Sequence, residues 1–440
     1  MAISNPGSST QVNVSSGGSN SGGSTRSAFA MVTILFFVWG FLTSLNDILI
    51  PHLKAIFDLN YVEVTLIQVG FFLAYAIFGF PAGKVVEWIG YQRTMVVGLL
   101  TMALGAVLFI PAANLPFFPL FLTALIILGA GMSALQVAAN PYVAVLGSPQ
   151  TASSRLNLSQ AFNSLGTTIG PPLGGFLILR GAESVVKNAQ SLSPTALHLY
   201  RIQQAASVKF PYLIFTLVLI LLALAIALYK FPRLDTTKDF RPIKDGGKQY
   251  GIWRYRHVVL GAVAIFVYVG AEVSIGSFLI SYFGQSYITG LTELAASFYV
   301  AFYWGGAMVG RFIGSAVLQK VRTGSLLTLC AIVAMALVLT SMLTFGHVAM
   351  WSILLVGLFN SIMFPSIFTL GIAEMGPLTG EASGLLVIAI VGGAIIPELQ
   401  AFLIDRIGIH HAFIIPVICY MFIAYYGWKG SRVILPKTSH

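Results

Sequence analysis

The 440 residues are 57% hydrophobic and only 9% charged, with a mean hydropathy of +0.86, where a water-soluble domain carries roughly a quarter charged residues. So few charges cannot cover a soluble surface, and the solvent of this chain is therefore lipid. The net charge of +10 is spread over short loops rather than gathered on one face, which is what membrane topology demands and which excludes nucleic acid as a partner.

Residues 1–27 are rich in Ser, Gly and Asn, hold one basic residue, Arg26, and lack the apolar core of a signal peptide; they read as a disordered cytoplasmic tail. Asn13-Val14-Ser15 fits the glycosylation pattern, a chance match on a cytoplasmic segment. Twelve apolar runs follow, at 29–53, 61–82, 94–112, 117–145, 155–179, 211–230, 258–284, 292–318, 325–345, 350–373, 382–404 and 412–430. Each is close to the ~20 residues that cross a ~30 Å hydrocarbon core. The expected architecture is an all-α membrane protein: an N-terminal six-helix half over 28–230, a basic cytoplasmic linker over 231–257, a C-terminal half over 258–430 and a tail over 431–440. Cys330 and Cys419 fall inside apolar runs and read as buried thiols, not as a disulfide or metal site.

With the N-terminus inside, 17 of the 24 Lys and Arg fall on the cytoplasmic side and six outside, while Arg311 is left inside span eight. This excess places both termini in the cytoplasm. The halves also repeat each other. Residues 169–178 and 395–404 share six identities at an offset of 226; Gln136 and Pro141 map onto Asn360 and Pro365 at 224, and Asp47 maps onto Glu272 at 225. Duplicated six-helix halves with a polar site between them are a transporter design.

An ionised side chain at the bilayer centre costs from ~3 to more than ~10 kcal/mol, so intramembrane carboxylates are candidate functional groups. Asp47 in span one and Glu272 in span seven stand out, with Glu398 near the outer end of span eleven a weaker third. Amides cluster beside them: Asn46, Gln136, Asn140, Gln160, Asn163 and Asn360 all lie within spans. Gln136 and Asn140 are i and i+4, and Gln160 and Asn163 are i and i+3, so each pair shares a helix face. Amides supply the paired donors and acceptors that sugar hydroxyls need, and aromatic rings such as Trp39, Tyr268, Tyr303, Trp304 and Phe364 suit a sugar's CH faces. The sugar-binding candidates are thus Trp39, Gln136, Asn140, Gln160, Asn163, Tyr268, Glu272 and Asn360. A lack of Arg or Lys in the cavity is expected, which argues against an anionic solute.

The loop between spans two and three reads Gly83-Lys84-Val85-Val86-Glu87-Trp88-Ile89-Gly90-Tyr91-Gln92-Arg93. It is similar to the loop signature of the major facilitator superfamily, departing from it at Glu87, Trp88 and Gln92. The resemblance implies a gating role for Gly83, Glu87, Gly90 and Arg93, which would latch the halves together. Phe36-Phe37-Val38-Trp39-Gly40-Phe41 with Leu45-Asn46-Asp47, Ala138-Ala139-Asn140-Pro141-Tyr142, and Arg155 to Ser164 resemble the fucose/galactose/glucose symporters of that superfamily. In the proton-coupled fucose branch, essential carboxylates stand at the places of Asp47 and Gln136, and a cavity Asn at Asn163. An upstream span-one Asn of that branch falls here at Ser44. Gln136 together with Tyr268-Val269-Gly270-Ala271-Glu272 looks instead like the glucose/galactose branch.

Gln cannot titrate, but its carbonyl can ligate a hard cation. The favoured reading is a Na⁺ site formed by Asp47 and Gln136, with Asn46 or Asn163 as further neutral oxygens; proton coupling through Asp47 is the alternative. The whole is expected to be a cation-coupled hexose symporter of a bacterial inner membrane, monomeric, with lipid and sugar as its partners and no cofactor beyond the co-transported ion. A carrier for another solute and a receptor or channel are the rivals; no nucleophile, metal cluster or phosphate loop points to an enzyme.

Overall fold

A computed structural model describes residues 25–57, 61–114, 118–179, 209–232, 244–245, 248–249 and 251–433. Most of the expected N-terminal tail and of the basic linker lies outside the described residues. Apart from a two-residue hairpin, Lys244–Asp245 with Lys248–Gln249, the regular structure described is helical.

Span one is Thr25–Phe57, and spans two and three are a single run, Tyr61–Asn114, broken at Gly90 (φ 82°, ψ 168°). The expected loop at 83–93 is thus mostly helix: Val85 to Ile89 contain no breaker, and the chain turns only where glycine allows the left-handed backbone. Spans four to nine are Phe118–Val145, Ala152–Leu179, Lys209–Leu228, Arg256–Phe283, Glu293–Val317 and Thr323–Leu343. Thr292 caps span eight, its hydroxyl accepting from the Ala295 amide at 3.3 Å, with Glu293 favourably placed in the first turn. Span ten is split into Gly346–Asn360 and Met363–Gly371, span eleven into Thr379–Ile388 and Gly392–Ile407, and span twelve runs from Ile409 to a π turn at Tyr426–Gly430.

Nine described segments are long and apolar enough to cross a membrane, and one of these, Val69–Ala113, contains two crossings. Spans five and eight complete the twelve. They fall short on apolarity, and they are the spans that carry Gln160, Asn163 and Arg311.

The two halves pack alike. Span one lies against five as seven lies against eleven, two against four as eight against ten, and three against six as nine against twelve. Gly166 and Gly392, 226 residues apart (392 − 166), hold the same place: a Cβ on the first would collide with the Phe37 carbonyl, and on the second with that of Phe266. At the end of the bundle where the linker joins the halves, Arg155 of span five donates to the last carbonyls of span four, Val143 (3.1 Å) and Ala144 (2.5 Å).

Candidate functional site

The seam between the halves is closed from the linker end to about mid-bundle. Span two runs antiparallel to span eleven, with Gly79 on Gly384 and Gly83 on Gly380; a Cβ at Gly83 would come 2.7 Å from the Gly380 carbonyl, and one at Gly384 2.7 Å from that of Gly79. Such contact admits only glycine and brings Cα–H groups onto facing carbonyls. At the rim Lys84 bonds Glu381 across the seam and lies 3.4 Å from Glu87. The loop signature therefore meets span eleven through Lys84, Gly83 and Glu87, which packs on Gly380, whereas Arg93 is exposed. A second strip joins span five to spans eight to ten: Ser153 to Thr369 and Thr323, Ser154 to the Ser315 carbonyl (2.6 Å), and Asn157 to the Arg311 carbonyl (2.7 Å).

Deeper in the seam a charged cluster begins with Pro365. Having no N–H, it leaves the carbonyl four residues earlier, that of Ser361, free of a helical donor, and the Arg311 Nε donates to that oxygen at 3.4 Å. Arg311 Nη1 bonds the Ser164 hydroxyl of span five, and Nη2 lies 4.0 Å from the Glu272 carboxylate of span seven. The Arg311 and Glu272 side chains are each 14% exposed, so each compensates a charge that would otherwise be stranded in low dielectric. The Tyr268 hydroxyl donates to Glu272 Oε1 at 2.8 Å and also lies 3.1 Å from the Asn360 carbonyl. Asn360 Nδ2 donates to Tyr303 (2.9 Å), its Oδ1 accepts from Tyr420 (2.8 Å), and the Tyr303 hydroxyl reaches the Glu272 carbonyl (3.3 Å). Three tyrosines and Asn360 thus form a fully buried scaffold behind Glu272.

Arg311 is a site residue that the sequence alone does not single out. Its position inside span eight is evident from sequence, but the expectation of no basic group at the site is corrected by the structure, which sets Arg311 against Ser164 and Glu272. The available signal was an arginine in mid-span opposite a carboxylate, together with a proline that frees a carbonyl for it. Asn360, a sugar candidate by sequence, is fully buried with both ends of its amide committed within the C-terminal half.

In the N-terminal half, Gln136 Nε2 donates to the Tyr75 hydroxyl (3.0 Å), leaving the Gln136 carbonyl uncommitted among the described residues. Asn163 Nδ2 donates to the Phe36 carbonyl (2.9 Å), tying span five to span one. Trp39 is buried against Phe36, with ring centroids 5.3 Å apart, and Gln160 is buried without a hydrogen bond among the described residues. Asn140 is completely buried, and neither end of its amide has a protein partner among them. The backbones of Asn46 and Asp47 belong to span one, but their side chains lie outside the described residues. Glu398 and Trp304 are exposed. No group of three or more His, Cys, Asp or Glu side chains that could hold a metal ion occurs among the described residues.

Residues 28–397 match the Major Facilitator Superfamily. The chain belongs to that family. It is 51% identical over 405 residues to the glucose/galactose transporter of Brucella abortus, covering 92% of this chain and 94% of that one. It is 36% identical over 396 residues to the L-fucose-proton symporter of Escherichia coli, covering 89% and 90%. The crystal structure of the facilitator FucP in the outward conformation superposes with a TM-score of 0.85 at 35% identity, covering 92% of this chain and 99% of that one. The twelve-helix fold of two six-helix halves is the family's fold, and the chain is a multi-pass membrane transporter.

Proposed function

We propose that this facilitator is a cation-coupled symporter for a neutral hexose of the glucose/galactose type, working by alternating access in a bacterial inner membrane with the linker end in the cytoplasm. The observation that carries the reading is the polar lining at the seam, with Glu272 and Arg311 held together where the halves meet, on a chain 51% identical to a glucose/galactose transporter. Glycine contacts and the Lys84–Glu381 bond close the linker end, so this conformation faces the opposite, outer side. Rocking about the seam would expose the same site inward.

Asp47 is the coupling carboxylate of this reading, and Na⁺ is the favoured ion. In support, Gln136 cannot titrate, and its carbonyl is uncommitted among the described residues while its nitrogen is held by Tyr75. Asn46 and Asn163 are the further oxygens, and Gln160 and Trp39 line the sugar's side of the site. Proton coupling is the second reading, favoured by the name of the Escherichia coli relative. Uptake of radiolabelled glucose and galactose into proteoliposomes, under a Na⁺ gradient or a H⁺ gradient alone, decides between them. The expected result is accumulation on Na⁺ that Asp47→Asn abolishes while counterflow, which neither a channel nor a receptor supports, persists. Accumulation on either gradient in the Asp47→Asn protein would remove Asp47 from the mechanism.

A further inference from the structure

Around Glu272 and Arg311 the hydrogen-bonding capacity is only partly used. Glu272 Oε1 accepts a hydrogen bond from the Tyr268 hydroxyl, while Oε2 has no hydrogen bond among the described residues. Arg311 spends Nε on Ser361 and Nη1 on Ser164, while Nη2 has no hydrogen bond among them and stands 4.0 Å from Oε1. Both side chains keep 14% of their surface open. The seam thus presents an acceptor-only group beside a donor-only group, each with one position unfilled and each held from behind by buried partners.

We infer that Glu272 and Arg311 form a clamp that reads two adjacent hydroxyls of the transported sugar, one donating to Glu272 Oε2 and its neighbour accepting from Arg311 Nη2. A hydroxyl is both donor and acceptor, so a vicinal pair satisfies both groups at once and no other part of the solute need be charged. The paired charges also select by sign. An anion would meet Glu272 and a cation Arg311, whereas a neutral polyol faces a clamp whose two charges cancel. Discrimination follows because an analogue lacking either hydroxyl leaves a buried charged group without its hydrogen bond. Asn360, Tyr303 and Tyr420 are positioning residues for the clamp; they hold span ten and the Glu272 backbone and do not touch the sugar.

The clamp rests on the hexose reading, and its test separates the two. Monodeoxy-glucoses lacking the hydroxyl at carbon 1, 2, 3, 4 or 6 in turn are used as inhibitors of labelled glucose uptake. In the unaltered protein, the two analogues that lack hydroxyls on neighbouring carbons should each inhibit at least about 10-fold more weakly than glucose, the loss expected for one charge-assisted hydrogen bond. Glu272→Gln, which keeps an acceptor for Tyr268 but no charge, should shrink the discrimination at one of these carbons to within about 3-fold, and Arg311→Lys should do the same at its neighbour. Other carbons should keep their wild-type ratios. A wild-type profile that is flat, or that singles out carbons that are not neighbours, overturns the clamp without any variant having to fold. So do variants that transport but keep the wild-type profile. Failure of the unaltered protein to take up any labelled hexose takes down the transport reading and the clamp together, whereas uptake with a flat profile removes the clamp alone.

Discussion

Asn360 shows how a side chain can matter to a transport site without lining it. Its amide donates to Tyr303 and accepts from Tyr420, while its carbonyl faces Tyr268. Asn360→Ala therefore leaves the buried Tyr420 hydroxyl without its acceptor and the Tyr303 oxygen without its donor, although Tyr303 still donates to the Glu272 carbonyl; each lost bond costs about 1–3 kcal/mol. The detergent-solubilised protein should melt measurably lower, with glucose affinity falling through the loosened Glu272; Tyr420→Phe should give about half that loss. Gln136→Glu tests the other half of the site: a titratable group there should make uptake depend on external pH and weaken its dependence on Na⁺. At this scale much was legible from sequence. Gln136, Asn163, Tyr268 and Glu272 could be singled out because a polar group within an apolar run needs a reason. The role of Arg311 is not legible there, since its partners Ser164, Glu272 and Ser361 come from three different spans that no local spacing connects.

Among helices, the decisive contacts are made by backbone on backbone. Gly79 and Gly83 are i and i+4 on span two, and Gly380 and Gly384 are i and i+4 on span eleven; the two pairs meet antiparallel across the seam. Gly83→Val would drive its side chain into the Gly380 carbonyl only while the linker end is closed. Overpacking of this kind costs about 1–3 kcal/mol, which moves the balance toward the state open at the linker end about 5- to 150-fold. The check is maleimide labelling of a cysteine placed at the linker-side rim, which should rise while folded yield is kept. Gly166→Val meets span one within its own half, where a Cβ would come 2.8 Å from the Phe41 nitrogen, so it should reduce folded yield instead. The loop signature was readable as half of this closure. Its other half was not, because Glu381 stands 297 residues from Lys84 and contacts of such separation leave no periodic mark. The helix through 83–89 is also hidden in the sequence, since a charged stretch between two apolar runs resembles a loop even where it contains no breaker.

On the scale of the whole chain, duplication is legible in the sequence, and the structure repeats it down to the packing of spans one and five against seven and eleven. What duplication could not reveal is how unequal the halves have become: the described charges of the seam site, Glu272 and Arg311, are both in the second half. The Lys84–Glu381 bond, by contrast, is peripheral. Lys84 is 37% exposed, and a partly solvated pair contributes about 0.2–1 kcal/mol. Lys84→Ala should accordingly raise labelling of the same rim cysteine by only a few-fold, far less than Gly83→Val.

The closed linker end also contains groups that do not favour closure. Asn140 of span four, Ser383 on the segment of span eleven packed against it, and Ser366, one turn before the Thr369 that meets Ser153, are all buried with polar atoms that have no protein partner among the described residues. Each such atom disfavours the shut form by about 1–3 kcal/mol relative to a form in which solvent reaches it. A carrier must let go of each conformation as readily as it adopts it, and these buried polar atoms weigh against the glycine contacts. Ser383→Ala should therefore turn a balanced gate into a sticky one: sugar would still bind from the outer side, and turnover would slow because the inner door hesitates to part.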